Sequence, residues 1–573
     1  MLNRLKEATL PANTRQYREE TADRISWGHW FALFNIILAI LIASRYAFNA
    51  DWPNTLSGKL YFFISLFGHF SFVVFAFYLL LLFPLSFVIK NVRGFRAFSV
   101  IFATFGQTLL LLDTEVFKQF YLHLSPLVWD LLVNPDNGEL ARQWQLLFVP
   151  MPLILLMEML YSRWCWQKLR SFNRQTWGKY VASFFLSCFV ATHLIYAWAD
   201  TNLNRPIASQ KANYPLSYPM TARSFLEKHG LIDIEELEQQ AENMGRVDSF
   251  YLNYPKQAIE VTKSAKVNLL LVNISGLAPE KINMQLMPSL KAISLNSHEF
   301  ANHYAAADNP TASTLGLFYS LSGKYLDSVL SEKTASPLIE VFQKEQYQFG
   351  LFSYNSFKAP IYQRAMLKEF QLPKTTGNES TLNAWYKWFV QRDITKPFFS
   401  YLELTASENL TDLDQKLFNQ IWQELAEQGT LKNTLVVITS DLAPSEQLKN
   451  DFSQAHIRVP FIVYWQGDAK KYHQLSSHLD FMPTILRQFF GVTTPIKSYA
   501  QGVDLSEANE RVFLLATNLD WNVAILPDGE QYHLNRKGKF EKFNAQGEKE
   551  KVERPPLPIF LQLIKQSNQF IEK

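Results

Sequence analysis

Five long apolar stretches crowd the first third of the chain, and they limit its fold more than any other feature. They run approximately Trp27–Tyr46, Leu60–Ile89, Ala97–Leu112, Leu146–Trp164 and Tyr180–Ala199. A bilayer core of about 30 Å is crossed by about 20 apolar residues in a helix, so each reads as a membrane span. The second is overlong and contains Pro84, which predicts a tilt or a kink there. The third is the shortest. No cleavable signal peptide is expected, because the first run starts late, lacks a small-residue cleavage site and is followed by four more.

Basic residues set the expected orientation. Arg4, Lys6, Arg15, Arg18 and Arg24 precede the first stretch; Lys90, Arg93 and Arg96 follow the second; Arg163, Lys168, Arg170, Arg174 and Lys179 follow the fourth. The loop after the third is acidic instead, with Asp113, Glu115, Asp130, Asp136 and Glu139 against Lys118 and Arg142. Five spans with a cytoplasmic N-terminus satisfy this alternation and place everything after Asp200 outside. Within the spans stand His29, His69, Gln107, Glu158 and His193. Glu158 is expected to pair with Arg163, and the histidines to be neutral and hydrogen-bonded between helices. Phe117–Leu132 is expected along the outer interface or beneath the globular domain.

The rest of the chain reads as globular. The whole chain of 573 residues carries a net charge of only +3, which gives no concentrated basic face for nucleic acid. The two cysteines, Cys165 and Cys188, lie in or beside apolar stretches, so the downstream domain has neither disulfides nor a Cys-ligated zinc. After a proline-containing connection, Thr221–Gly230 reads as a short helix closed by Gly230. Val267–Ile274 is a continuous apolar run, as expected of a strand buried on both faces of a parallel sheet. Tyr347–Ser353, Phe398–Leu404, Thr434–Thr439 and Val459–Tyr464 are further strands. Helices at Thr334–Gln346, Leu382–Arg392 and Asp412–Gly429 alternate with them, which predicts a sheet covered on both faces. Val512–Thr517, Val523–Leu526, Gln531–Leu534 and Phe540–Phe543, with turns at Asp528-Gly529 and Lys537-Gly538, predict a small antiparallel subregion before a last helix from about Pro558. The expected domains are 1–199 (membrane), 200–245 (juxtamembrane linker and helix) and 246–573 (α/β).

Three segments of the second half resemble the sulfatase/alkaline-phosphatase superfamily and its lipoteichoic-acid-synthase-like branch. They are Asn433-Thr-Leu-Val-Val-Ile-Thr-Ser-Asp441, His456-Ile-Arg-Val-Pro-Phe-Ile-Val463 and His478-Leu-Asp-Phe-Met-Pro-Thr-Ile-Leu486. The whole chain resembles the YejM (PbgA, LapC) family of inner-membrane regulators of lipopolysaccharide synthesis. That likeness is densest in Ser26-Trp-Gly-His-Trp-Phe-Ala-Leu-Phe-Asn35, Gly68-His-Phe-Ser-Phe72 and Leu216-Ser-Tyr-Pro-Met-Thr-Ala-Arg223 through Phe225-Leu-Glu-Lys-His-Gly230.

The superfamily resemblance implies one or two divalent metals at the strand ends, which neutralise a phosphate or sulfate and activate a hydroxyl. Ser275 occupies the usual first ligand position, and Leu402-Glu403-Leu404-Thr405 the stretch where active relatives carry a histidine. Leu442 replaces the histidine after Asp441. Thr311, Asp441 and His456 remain as vestigial candidates. Two protein ligands are fewer than a catalytic metal normally takes, so the expected reading is a degenerate hydrolase without a cofactor. In that reading Asp441 caps a turn and His456 bonds within the sheet, while His478 and Asp480 begin and cap the helix before Pro483. A phosphatase or phosphotransferase using Mg or Mn is the alternative.

The family resemblance implies a lipid A site at Tyr214–Gly230. Its candidate residues are Tyr218, Met220, Thr221, Ala222, Arg223, Ser224 and Lys228, with Phe225 against acyl chains. A helix start at Thr221 and the Arg223 fork would meet a phosphate. Relatives commonly have a second arginine where Ser224 stands; Lys228 or Lys211 would compensate. Taken without the resemblance, these residues are better accounted for by an ordinary amphipathic helix on the membrane surface. The resemblance further implies contact with LapB, the adaptor that acts with the protease FtsH on LpxC. Cardiolipin binding or carriage is the remaining alternative.

Overall fold

A computed structural model describes residues 12–49, 52–133, 148–263, 266–444, 449–466, 468–507, 511–535, 538–551 and 556–572. They cluster into two compact units divided between Leu237 and Glu238.

The first unit is helical. Its long helices are α1 (Ala12–Ala43), α2 (Leu56–Phe77), α3 (Val92–Phe120), α4 (Met151–Gln167) and α5 (Gly178–Thr201), followed by the short α6 (Arg223–Lys228). Among the described residues, four helical stretches are long and apolar enough to cross a membrane: Gln16–Asn49, Leu56–Val88, Val92–Phe120 and Gly178–Thr201. The fourth predicted span is the 17-residue α4; Leu146 lies outside the described residues, as do Arg4, Lys6, Asp136, Glu139 and Arg142.

The third span is longer than its apolar run. Helix α3 continues eight residues past Leu112, because Asp113 is paired on the way: its carboxylate accepts from Tyr46, from His123 Nδ1 at 2.7 Å and from the Leu124 amide at 2.6 Å. In the second span a wide π turn, Tyr78–Leu82, precedes Pro84, which sits in the first turn of Phe83–Val88. This is how the chain absorbs the amide that proline lacks.

Glu158 does not pair with Arg163. It is fully buried, and its Oε2 accepts from Asn35 Nδ2 on α1 at 3.2 Å, while Gln107 Nε2 on α3 donates to Asn35 Oδ1 at 3.0 Å. Three spans are thereby tied through one polar node, the arrangement that hydrocarbon demands of buried polar groups.

Helix α5 packs along α2, and Gly68 makes this possible. A β-carbon there would lie 2.7 Å from the Cys188 carbonyl oxygen and 2.8 Å from Phe189 Cα, both backbone atoms of α5. Gly68→Ala is therefore expected to cost about 1–3 kcal/mol by forcing the helices apart. A fall in the thermal unfolding midpoint of detergent-purified protein is the readout. An unchanged midpoint would mean that the close approach carries no packing energy.

The second unit is α/β. Its main sheet contains β1 (Asn268–Ser275), β2 (His298–Phe300), β3 (Gln348–Ser353), β4 (Phe398–Thr405), β5 (Thr434–Thr439), β6 (Phe461–Tyr464) and β7 (Lys470–Tyr472). Their order is β3-β4-β1-β5-β6-β2-β7. Strands β3, β4, β1 and β5 are parallel, but β6 runs antiparallel to β5, so the sheet is mixed rather than purely parallel. One face packs Leu270, Val272 and Ile274 against Trp385 and Phe389 of helix Gly377–Gln391 and against Leu413 and Leu425. On the other, Phe318 and Phe342 meet Tyr401 and Phe399 at ring separations of 5.0 and 4.6 Å. β1 is buried on both faces, which explains its unbroken apolar run.

A separate five-stranded antiparallel sheet follows: β8 (Leu514–Thr517), β9 (Trp521–Ile525), β10 (Gln531–Asn535), β11 (Phe540–Phe543) and β12 (Lys549–Glu550). Gly529, at φ +88°, makes the β9–β10 turn. Lys537, in the next turn, is outside the described residues. Helix Leu557–Ser567 closes this sheet, with Phe560 against Tyr532 and Phe540.

Candidate functional site

At the junction after α5, the helix expected from Thr221 begins two residues later. Ala222 is its N-cap, without a side-chain capping bond, since alanine has no oxygen to offer. It spans six residues, too short for its terminus to act as an anion site. Gly230, at φ +66°, follows its end as expected.

The Arg223 guanidinium holds Asp200, the penultimate residue of α5, with Nε and one terminal nitrogen each 2.7 Å from a carboxylate oxygen. Asp200 is buried and Arg223 a third exposed, so this forked pair fixes α6 onto the end of the last span. The irregular segment leading to α6 is held by three histidines. His123 Nε2 lies 2.9 Å from the Ala212 carbonyl, His69 Nε2 lies 2.8 Å from that of Pro215, and the Met220 amide donates to His193 Nδ1 at 3.1 Å.

What this scaffold presents outward is amphipathic. Leu216, Tyr218, Met220 and Phe225 are 79, 84, 64 and 63% exposed. Thr221, Ser224 and Lys228 are exposed beside them, Ala222 is half-buried and so is Lys211. Large apolar side chains at such exposure mark an interaction surface.

In the second unit, the strand ends bring together Ser275 and Asp441. Ser275 Oγ donates to Asp441 Oδ2 at 2.7 Å, and the Gly276 and Leu442 amides donate to Oδ1 at 3.1 and 2.6 Å. Asp441 thus closes a turn, and burial holds its carboxyl above the usual range. Glu403, central in β4, accepts from Ser353 Oγ and from Tyr362 OH at 2.8 Å; burial, with a smaller contribution from Asp441, pushes its carboxyl up to about 7. Ser313 Oγ donates to the Asp441 carbonyl at 2.7 Å and lies 2.9 Å from His478 Nδ1. Thr311 is two residues earlier, in the first turn of helix Pro310–Tyr319, whose N-cap is Asn309. His456 does not bond within the sheet. It lies on the short helix Gln454–Ile457, with Nδ1 2.6 Å from the Ala443 carbonyl and Nε2 3.4 Å from that of Asp308, bracing two loops.

These groups do not fit a divalent metal. The oxygens of Asp441 and Glu403 already accept protein hydrogen bonds, Ser275 is a donor to the carboxylate rather than a ligand beside it, and among the described residues no three His, Cys, Asp or Glu side chains converge. Sequence reasoning passed over two residues that organise these sites. Glu403 announced itself as a lone acid in an apolar strand. Asp200 sat at the end of an apolar helix with nothing local to show its partner.

Comparison with known proteins agrees with this division. The family described as domain of unknown function DUF3413 matches residues 13–261, and the sulfatase family matches residues 408–492. A protein of Haemophilus influenzae described as uncharacterized is 47% identical over 98% of both chains. The inner membrane protein YejM of Salmonella typhi is 40% identical, covering 97% of this chain and 99% of the relative. A solved structure of an alkaline phosphatase superfamily protein from Vibrio parahaemolyticus covers 60% of this chain and 98% of its own at 14% identity, with a TM-score of 0.42. With apolar helices first and a sulfatase-like α/β unit after them, matched nearly end to end, the chain belongs to the YejM family.

Proposed function

We propose that this chain is an inner-membrane sensor of lipopolysaccharide, which it reads at the junction after α5, and that its α/β unit, turned to the periplasm, is a degenerate hydrolase without a metal. The observation that carries the reading is the outward amphipathic surface at residues 216–228, directly after a membrane helix. In water, Tyr218, Met220 and Phe225 would expose their apolar area at a cost. At the boundary between headgroups and acyl chains the same side chains are at home, and Thr221, Ser224 and Lys228 lie where a lipid A phosphate would be met.

Arg223 has a double role in this reading. Its fork aligns α6 through Asp200, and the third of its side chain that is exposed adds positive charge beside the same surface. The output is restraint of LapB while lipid A is scarce, sparing LpxC from FtsH, and release once lipid fills the junction. For this the lipid must prefer one arrangement of the junction over another, since equal affinity for both shifts nothing.

The test is lipid A binding to the full chain in nanodiscs. Thr221→Val with Lys228→Ala is expected to weaken it by at least about tenfold, since both hydrogen bonds lost are made to an ionised phosphate. Ser275→Ala and His456→Ala should leave it unchanged, and cardiolipin should compete poorly. LpxC abundance in cells carrying the variants is the second readout. Unaltered binding in the double variant, or cardiolipin displacing lipid A mole for mole, would overturn the proposal.

A further inference from the structure

A cleft of about 380 Å³, its open mouth included, lies between the outer part of α2 around Tyr61–His69, the second half of α5 and the irregular segment that follows. Tyr61, Ser65 and His69 line it at four-residue spacing, one face of α2; His193, Gln210 and Tyr214 are among the facing residues. Gln210 is only 6% exposed. Its amide nitrogen donates to the Gly58 carbonyl at 2.9 Å and the Pro206 carbonyl at 2.8 Å, which fixes the amide and leaves Oε1 buried with no partner. His69 donates through Nε2 to a carbonyl, so its neutral ring keeps Nδ1 as an acceptor. His193 accepts at Nδ1 from an amide, so its neutral ring carries the proton on Nε2 as a donor. No Lys, Arg, Asp or Glu is among the described residues lining the cleft.

This inventory discriminates between ligands. A phosphate or ammonium group would enter without a counter-charge, which is costly away from water. A bare hydrocarbon chain would leave Gln210 Oε1 unpaired. A hydroxyl beside an ester satisfies both kinds of wall, donating to Gln210 and accepting from His193. Much of the cleft's space is its open mouth, so it takes the hydroxyl end of such a group and leaves the ester and its chain at the mouth, not a whole lipid.

We propose that the cleft binds the uncharged interfacial part of a membrane lipid, a free hydroxyl next to an acyl ester, separately from the phosphate-facing side chains at residues 221–228. The inference rests on the reading above only in placing this end of the bundle at a lipid headgroup layer.

The test uses the full chain in phosphatidylcholine nanodiscs with a diacylglycerol carrying a photoreactive diazirine on one acyl chain. Irradiation should label peptides containing Tyr61–His69 and Gln210–Pro219, and unlabelled diacylglycerol should suppress that labelling. Gln210→Leu should reduce it about tenfold. His193→Phe, which keeps a ring against Phe189, should reduce it similarly and stands in if the first variant fails to fold. Phosphatidic acid of the same chains should compete at least tenfold less well. Labelling that survives both substitutions, or equal competition by phosphatidic acid, would overturn the proposal. Thr221→Val with Lys228→Ala separates the two sites. It should weaken lipid A binding and leave diacylglycerol labelling intact, so loss of either behaviour alone identifies which reading failed.

Discussion

Asp480→Ala is expected to destabilise the sulfatase-like unit by about 3–5 kcal/mol, a large share of what holds a domain together. The carboxylate is fully buried and serves three donors. Oδ2 accepts from the Ser477 amide at 2.8 Å, and Oδ1 accepts from the Val503 amide at 2.9 Å and from the Arg511 guanidinium. Arg511 is itself only 13% exposed, so removing its partner strands a cation away from water and leaves two amides unpaired. The order of variants tests the cause. Asp480→Asn keeps one acceptor and should fall between, and Arg511→Met added to Asp480→Ala should recover part of the loss because it removes the stranded charge. Hydrogen exchange of helix Phe481–Phe490 in the full chain reads each step. If the double variant is as unstable as the sum of both single ones, the ion pair is not the source of the effect.

That Asp480 would cap the start of a helix was legible in the sequence, from its place just before an apolar helix. The elements around it were legible for the same kind of reason. Thr434–Thr439 is a strand with the expected bounds, and β1 lies one residue from its expected place, because an unbroken apolar run between turn signals has few alternatives in a large domain. Strand direction was not legible. The burial pattern of β6 is the same whichever way it runs, so only the pairing of Ile438 with Ile462 shows it to be antiparallel to β5. The end of helix α3 was not legible, because Asp113 and Glu115 follow the apolar stretch Ala97–Leu112 and read as part of the loop beyond it. They are tolerated because Tyr46, His123 and Arg45 come from elsewhere in the chain to meet them.

The candidate sites were less legible for a related reason. The apolar half of the junction, Tyr218, Met220 and Phe225, follows from local sequence and stands outward as such a surface should. The charged half does not. Arg223 finds Asp200 23 residues earlier, across a turn of chain that no spacing rule describes. In the α/β unit, Ser275 and Leu442 were visible in the sequence at positions where the superfamily resemblance implies metal ligands. What took their place was not: a hydroxyl–carboxylate bond between β1 and the turn after β5, and a second acid, Glu403, kept in β4 by a serine and a tyrosine.

Glu403→Gln is expected to leave stability nearly unchanged at pH 4.5 and to raise it by up to about 3 kcal/mol at pH 8. The Glu403 carboxyl titrates near 7 in the folded chain, against an ordinary value of 4.5. Below 4.5 both folded and unfolded chains hold the proton. Between 4.5 and 7 only the folded chain does, so stability falls as pH rises, by about 1.4 kcal/mol per unit, and above 7 the full penalty of a buried carboxylate is present. Glutamine keeps the neutral shape and escapes that penalty. His478 acts in the opposite sense. Burial lowers its ring to about 3, so below 6.5 the unfolded chain gains a proton that the folded one refuses, and stability falls as pH falls. In the unsubstituted chain the two slopes oppose each other between 4.5 and 6.5 and flatten the profile. Glu403→Gln should unmask the histidine, giving a steep rise in stability across that window. Urea unfolding of the full chain at pH 4.5, 6 and 8 decides the matter: a variant equally destabilised at all three would mean that Glu403 is held as a carboxylate, with Ser353 and Tyr362 as its obligatory donors.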